Sequence, residues 1–198
     1  MDGVTVASAL TVRYAGLFVD VPNICGKVLA GLSQRQRRKA SPIDVIDWPA
    51  LFSLMLDSIE TKQVRYLATA HAFVGYHQSP MVLEGVMRSA IGPMWDTVVV
   101  SAPPKDVDAH IVNRMWQNTI ALSRMQAAAG CPLPHEVTVL LAGGDHVYAE
   151  TIEAIRTEFG SALRLRLHTF AWRGSLAGIL SAASNQVVWL DDHNLFKI

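Results

Sequence analysis

Apolar residues along this chain come in short continuous runs separated by stretches with helical spacing. Six runs read as strands: AGLFVDV (15–21), VRYLATAHAF (64–73), DTVVVSA (96–102), EVTVLLAGG (136–144), LRLRLHTFAW (163–172) and QVVWLDD (186–192). Runs that are apolar at consecutive positions, without polar alternation, suit a parallel sheet covered on both faces. Between them, PALFSLMLDSI (49–59), SPMVLEGVMRSAI (79–91), DAHIVNRMWQNTIALSRMQAAAG (108–130), AETIEAIRTEFG (149–160) and SLAGILSAAS (175–184) read as helices. Ile111, Met115, Leu122 and Met125 recur at helical spacing, and Asp47 precedes the 49–59 segment as a capping residue. Strand and helix alternate about five times, which predicts a doubly wound, mainly parallel sheet in a three-layer α/β/α sandwich. Residues 31–47 break the rhythm: they are polar, carry Arg35, Arg37, Arg38 and Lys39, and read as a loop or a helix end. Arg164 and Arg166, alternating with Leu163, Leu165 and Leu167, suggest one face of an edge strand.

Length and composition narrow the class. At 198 residues the chain suits a single domain, with its core at about 15–190. Hydrophobic residues make up 51% and charged residues 17%, so the core is sizeable, and the sparse charge leaves a homo-oligomer interface open. No apolar run approaches the ~18 residues of a membrane span. Lys plus Arg and Asp plus Glu are 17 each, which argues against a broadly basic nucleic-acid coat but not against a local basic patch. Cys25 and Cys131 stand far apart without a CxxC, and the first residues lack a positive region ahead of apolar ones. Both features point to a cytoplasmic protein without a signal peptide.

The chemistry gathers at predicted strand ends. In open α/β sheets, ligands bind outside the carboxyl ends of the strands. Asp20 ends the first strand, Lys105, Asp106 and Asp108 follow the third, and Asp145 follows the fourth after Gly143 and Gly144. Each of Asp20, Asp108 and Asp145 also precedes a helix, where Asp is a common cap. Converging carboxylates would offer oxygen ligands to Mg²⁺ or Mn²⁺. The glycine pair lacks the pattern of a Walker or dinucleotide loop, and the histidines show no metal-ligand spacing.

These residues resemble the NYN family of PIN-like metal-dependent ribonucleases. FVDVPN, with Asp20 and Asn23, is similar to the family's hydrophobic-Asp-x-x-Asn motif. KDVD, with Lys105 and Asp108, is similar to Lys-Gly-x-Asp, and GGDHVY, with Gly144, Asp145 and Tyr148, to Ser-Gly-Asp-x-Asp-Phe. SNQVVWL (184–190) echoes the closing motif. The resemblance implies hydrolysis of RNA phosphodiesters, with Asp20, Asp108 and Asp145 holding Mg²⁺ or Mn²⁺. It implies Asn23 beside them as a catalytic-site residue, and Lys105 in contact with phosphate. The basic run Arg35, Arg37, Arg38 and Lys39 is a candidate RNA contact near the same edge. Four departures stand out: Val147 replaces the second Asp of the third motif, Asp106 replaces a Gly, Asn113 or Arg114 stands where a helix Asp is usual, and Asn185 replaces the late Asp. They leave a second reading open, a catalytically degenerate binding or assembly module. A nucleotide-binding regulator has only the fold class in its favour.

Overall fold

The computed structural model describes residues 13–31, 42–59, 66–75, 80–91, 96–102, 106–128 and 135–197. Six strands, β1 (Arg13–Asp20), β2 (Tyr66–Gly75), β3 (Asp96–Ala102), β4 (His135–Ala142), β5 (Leu163–Ala171) and β6 (Gln186–Trp189), form one sheet in the order β3-β2-β1-β4-β5-β6. Every adjacent pair is parallel. The helices are α1 (Val21–Gly31), α2 (Pro42–Val45), α3 (Trp48–Asp57), α4 (Pro80–Ile91), α5 (Val107–Ala128), α6 (Val147–Phe159) and α7 (Gly178–Ala183). A 3-10 turn, Leu190–Asp192, follows β6.

The sheet separates two cores, because successive strand residues face opposite ways. On one face Leu17 and Val19 of β1 pack with Ile24 of α1, Leu51, Phe52 and Met55 of α3, and Leu83 and Met87 of α4. On the other, Phe18 packs with Ile111 and Met115 of α5, Ile152 and Ile155 of α6, and Leu180 of α7. The result is a three-layer α/β/α sandwich. Burial on both faces explains the unbroken apolar run of β1, where Leu17, Phe18 and Val19 are each at most 1% exposed.

The chain winds outward from β1 to β3, returns through α5, and winds outward again from β4 to β6. The reversal lies between β1 and β4, paired from Arg13↔Glu136 to Val19↔Ala142. Ligand sites of such sheets sit at this crevice.

Two expectations need correction, and one expected helix had no assigned bounds. The helix that Asp20 precedes, α1, spans residues 21–31. Its Pro22 is tolerated because the first-turn N–H groups have no intrahelical acceptor. Part of the segment read as a loop or a helix end is a separate short helix, α2. The strand with Arg164 and Arg166 is not an edge strand, since β5 pairs with both β4 and β6. However, β6 pairs only with residues 168–171, so the arginine-bearing half of β5 has a neighbour on one side alone. There both arginines stand 3.9 Å from Glu136.

Candidate metal centre

Asp20 is the last residue of β1 and is 3% exposed. Its two carboxylate oxygens do different work. Oδ1 accepts the backbone N–H of Asn23 at 3.0 Å and so caps α1. Oδ2 faces the hydroxyl of Tyr148, 2.9 Å away. Asp108, in the first turn of α5, places its Oδ1 at 2.6 Å from the same hydroxyl. Asp145, in the turn after β4, accepts the N–H of Val147 at 3.3 Å and pairs with His146 Nδ1 at 2.8 Å. Capping is therefore a real role of Asp20, but it uses only one of its oxygens.

The glycine pair makes this assembly sterically possible. A Cβ at Gly143 would lie 3.3 Å from both Asp20 Cβ and Tyr148 Cε2. A Cβ at Gly144 would lie 2.2 Å from the backbone oxygen of Ser175. Neither needs glycine for a left-handed conformation, because the one positive-φ glycine among the described residues is Gly174. Close approach is the reason: Gly144 O also accepts Ala177 N–H at 2.8 Å, locking the turn after β4 to the segment before α7.

Electrostatics follow from the packing. Burial pushes the Asp20 carboxyl up to about 6, against the lowering effect of the Asn23 N–H and the Tyr148 hydroxyl, and the charges of Asp108 and Asp145 push it further up. Burial, followed by the two facing acids, holds the Tyr148 phenol far above its ordinary range. Tyr148 thus keeps its single proton and shares it between two carboxylate oxygens, closer to Asp108 at 2.6 Å than to Asp20 at 2.9 Å.

A second acidic group on the same edge behaves differently. Arg173, just after β5, grips Asp192 through both terminal nitrogens, at 2.5 and 2.6 Å, and its backbone N–H meets Asp191 Oδ2 at 2.5 Å. Lys27 Nζ lies 3.3 Å from Asp191 Oδ1. Those acids have cationic partners. Among the described residues no Lys or Arg forms an ion pair with Asp20, Asp108 or Asp145.

The donor set can be compared with what Mg²⁺ or Mn²⁺ requires. It is all oxygen, sits at the crevice, and has no Lys or Arg partner among the described residues, which suits a hard divalent ion. It does not enclose one: among the described residues no group of three or more His, Cys, Asp or Glu converges closely enough to hold an ion. The Tyr148 hydroxyl stands between Asp20 and Asp108. Mg²⁺ is commonly held by one or two carboxylates, waters and substrate phosphate, so the residues fit an open site completed by substrate and not a closed cage.

The remaining candidates are distributed as follows. Asn23 lies in the first turn of α1, and its Oδ1 is buried without a hydrogen-bond partner among the described residues. Asp106 is exposed in the turn before α5. Asn185 lies just before β6, at the opposite edge of the sheet, where its Oδ1 accepts Leu167 N–H at 2.8 Å and an Arg156 N–H at 3.0 Å. Lys105, Arg35, Arg37, Arg38 and Lys39 lie outside the described residues. Trp172 is core: it is 1% exposed, donates Nε1–H to Ile24 O at 2.8 Å, and stacks on Phe196. The site residue whose role the sequence did not reveal is Tyr148. It stood out only as the aromatic ending the third motif, and its hydroxyl meets partners 128 and 40 positions away.

No protein-family model matches the chain, and no curated protein sequence matches it. A crystal structure of a protein of unknown function from Vibrio parahaemolyticus is similar to it, with a TM-score of 0.54 at 15% identity over 95% of this chain and 98% of that one. At that identity the likeness shows a shared fold. No described helix is long and apolar enough to cross a membrane.

Proposed function

We propose that the chain is a metal-dependent endoribonuclease that hydrolyses RNA phosphodiester bonds, with Asp20, Asp108 and Asp145 as the carboxylates that take Mg²⁺ or Mn²⁺. The observation that carries this reading is Asp20. A carboxylate 3% exposed, set against two further acids with no described cationic partner, is a cost that folding alone does not explain. A divalent ion would remove that cost and would supply Lewis-acid polarisation of the phosphate and a more acidic bound water. The motif resemblance supplies the substrate class. Asn23 holds Asp20 in place through its backbone N–H, and its unpartnered Oδ1 is a buried acceptor on the same turn. The buried Cys25 thiol, its pKa pushed to about 12 by burial and then by Asp20, is an inert core group and not a nucleophile of the site.

One observation favours the second reading, a module that has lost catalysis. Tyr148 bridges two of the acids, and Val147 packs apolar side-chain surface where the family places another acid. A cleavage assay on single-stranded RNA in Mn²⁺ separates the two, using wild type, Asp20→Asn and Val147→Asp. Cleavage by wild type that is lost in Asp20→Asn supports the nuclease. Cleavage only by Val147→Asp identifies a silenced one. Inactivity of all three, with no metal binding, leaves Asp20 as the cap of α1 and the three acids without a metal role.

A further inference from the structure

We propose that Tyr148 is a positioning residue that sets the cation affinity of the acid pair, its hydroxyl occupying the place between Asp20 and Asp108 that a bridging ion would take. The inference rests on the metal-site reading above. The hydroxyl stands 2.9 Å from one carboxylate and 2.6 Å from the other, on a side chain that is 0% exposed. The phenol cannot swing aside cheaply. Its ring packs in the core that holds Ile152, Leu141 and Val107, and it lies against Gly143. Mg²⁺ needs its oxygen ligands at about 2.0–2.1 Å, whereas these two carboxylates are held apart by a hydroxyl at hydrogen-bond distance from each. An ion shared by both acids must therefore break the phenol contacts first. Phe at this position keeps the ring in the core and removes only the hydroxyl. The carboxylates then lose a competitor for their oxygens and repel each other more strongly, and both effects favour the cation.

The test is Mn²⁺ binding to metal-free wild type and Tyr148→Phe, measured by isothermal calorimetry and by the electron paramagnetic resonance of free Mn²⁺. The expected result is a dissociation constant about tenfold lower in Tyr148→Phe, the factor carried by loss of one charge-assisted hydrogen bond. Equal or weaker binding by the variant overturns the role of Tyr148 and leaves the metal reading standing. No binding by either protein overturns both. If Tyr148→Phe does not fold, the near-ultraviolet tyrosine difference spectrum of wild type decides. Mn²⁺ must perturb a buried tyrosine in wild type and not in Asp20→Asn, and Mn²⁺ binding without that perturbation overturns the proposal.

Discussion

Replacing Asp20 by Asn removes a charge the fold buries at a cost, and the size of that cost can be worked out. The Asp20 carboxyl moves from 3.8 to about 6 on folding, chiefly through burial. At about 1.4 kcal/mol per pH unit of separation, the ionised side chain destabilises the folded state by roughly 3 kcal/mol at neutral pH. The folded-state value is the higher one, so the folded protein binds more protons between the two values. The stabilising contribution is therefore complete below 3.8 and is lost as pH rises through about 6. Asn reproduces the protonated acid: its Oδ1 can still accept the Asn23 N–H, and its Nδ2–H can donate to the Tyr148 oxygen while Tyr148 donates to Asp108. Urea denaturation of both proteins across this window, without metal, isolates the effect. Asp20→Asn should match wild type near pH 4 and exceed it by up to roughly 3 kcal/mol near pH 7.5, with the gap opening mainly between those limits. Subtracting the two curves cancels the carboxylates that do not act on Asp20, such as Asp192, which Arg173 holds below the usual range. A difference that does not vary with pH, or a variant less stable at neutral pH, would refute the reasoning.

Other outcomes follow from the same geometry. Gly144→Ala should lower stability by about 1–3 kcal/mol in thermal denaturation, because its Cβ would lie 2.2 Å from a backbone oxygen that cannot move aside as a flexible side chain would. An unchanged melting temperature would show that the loop before α7 gives way freely. Mn²⁺ at 100 times its dissociation constant should stabilise wild type by about 2.7 kcal/mol and Asp20→Asn by much less, read by differential scanning calorimetry. Equal shifts in both proteins would place the metal elsewhere.

The sheet was legible because its strands are buried on both faces. Runs such as LFV in β1 and VLLA in β4 leave no polar position to mistake for a helix face. The doubly wound parallel sheet followed from strand–helix alternation, and the observed order, with β1 between β2 and β4, agrees with it. The extent of α1 was not legible because VPNICGKVLAG holds a proline and two glycines, which intrinsic propensity weighs against a helix. Tertiary contacts outweigh that: Val21, Ile24 and Cys25 are buried, and Asp20 caps the first turn. Asp20, Asp108 and Asp145 could be placed on one edge from the strand ends alone. That a tyrosine would stand between two of them could not be, because the contact depends on the space that Gly143 leaves between β1 and α6. Asn185, which departs from the family's late Asp, ties β5 to α6 at the far edge of the sheet, a role that its place in the motif did not reveal.

The central claim is that the crevice between β1 and β4 takes a divalent cation on Asp20 and its neighbours. Anomalous diffraction from crystals of the protein equilibrated with Mn²⁺ tests it directly. The account predicts an anomalous peak in direct coordination with the Asp20 carboxylate and at least one of Asp108 and Asp145, with the Tyr148 hydroxyl displaced from its contact with Asp20. A Mn²⁺ peak seated only at Asp191 and Asp192, or an intact Asp20–Tyr148–Asp108 bridge with no peak beside it at saturating Mn²⁺, would contradict it.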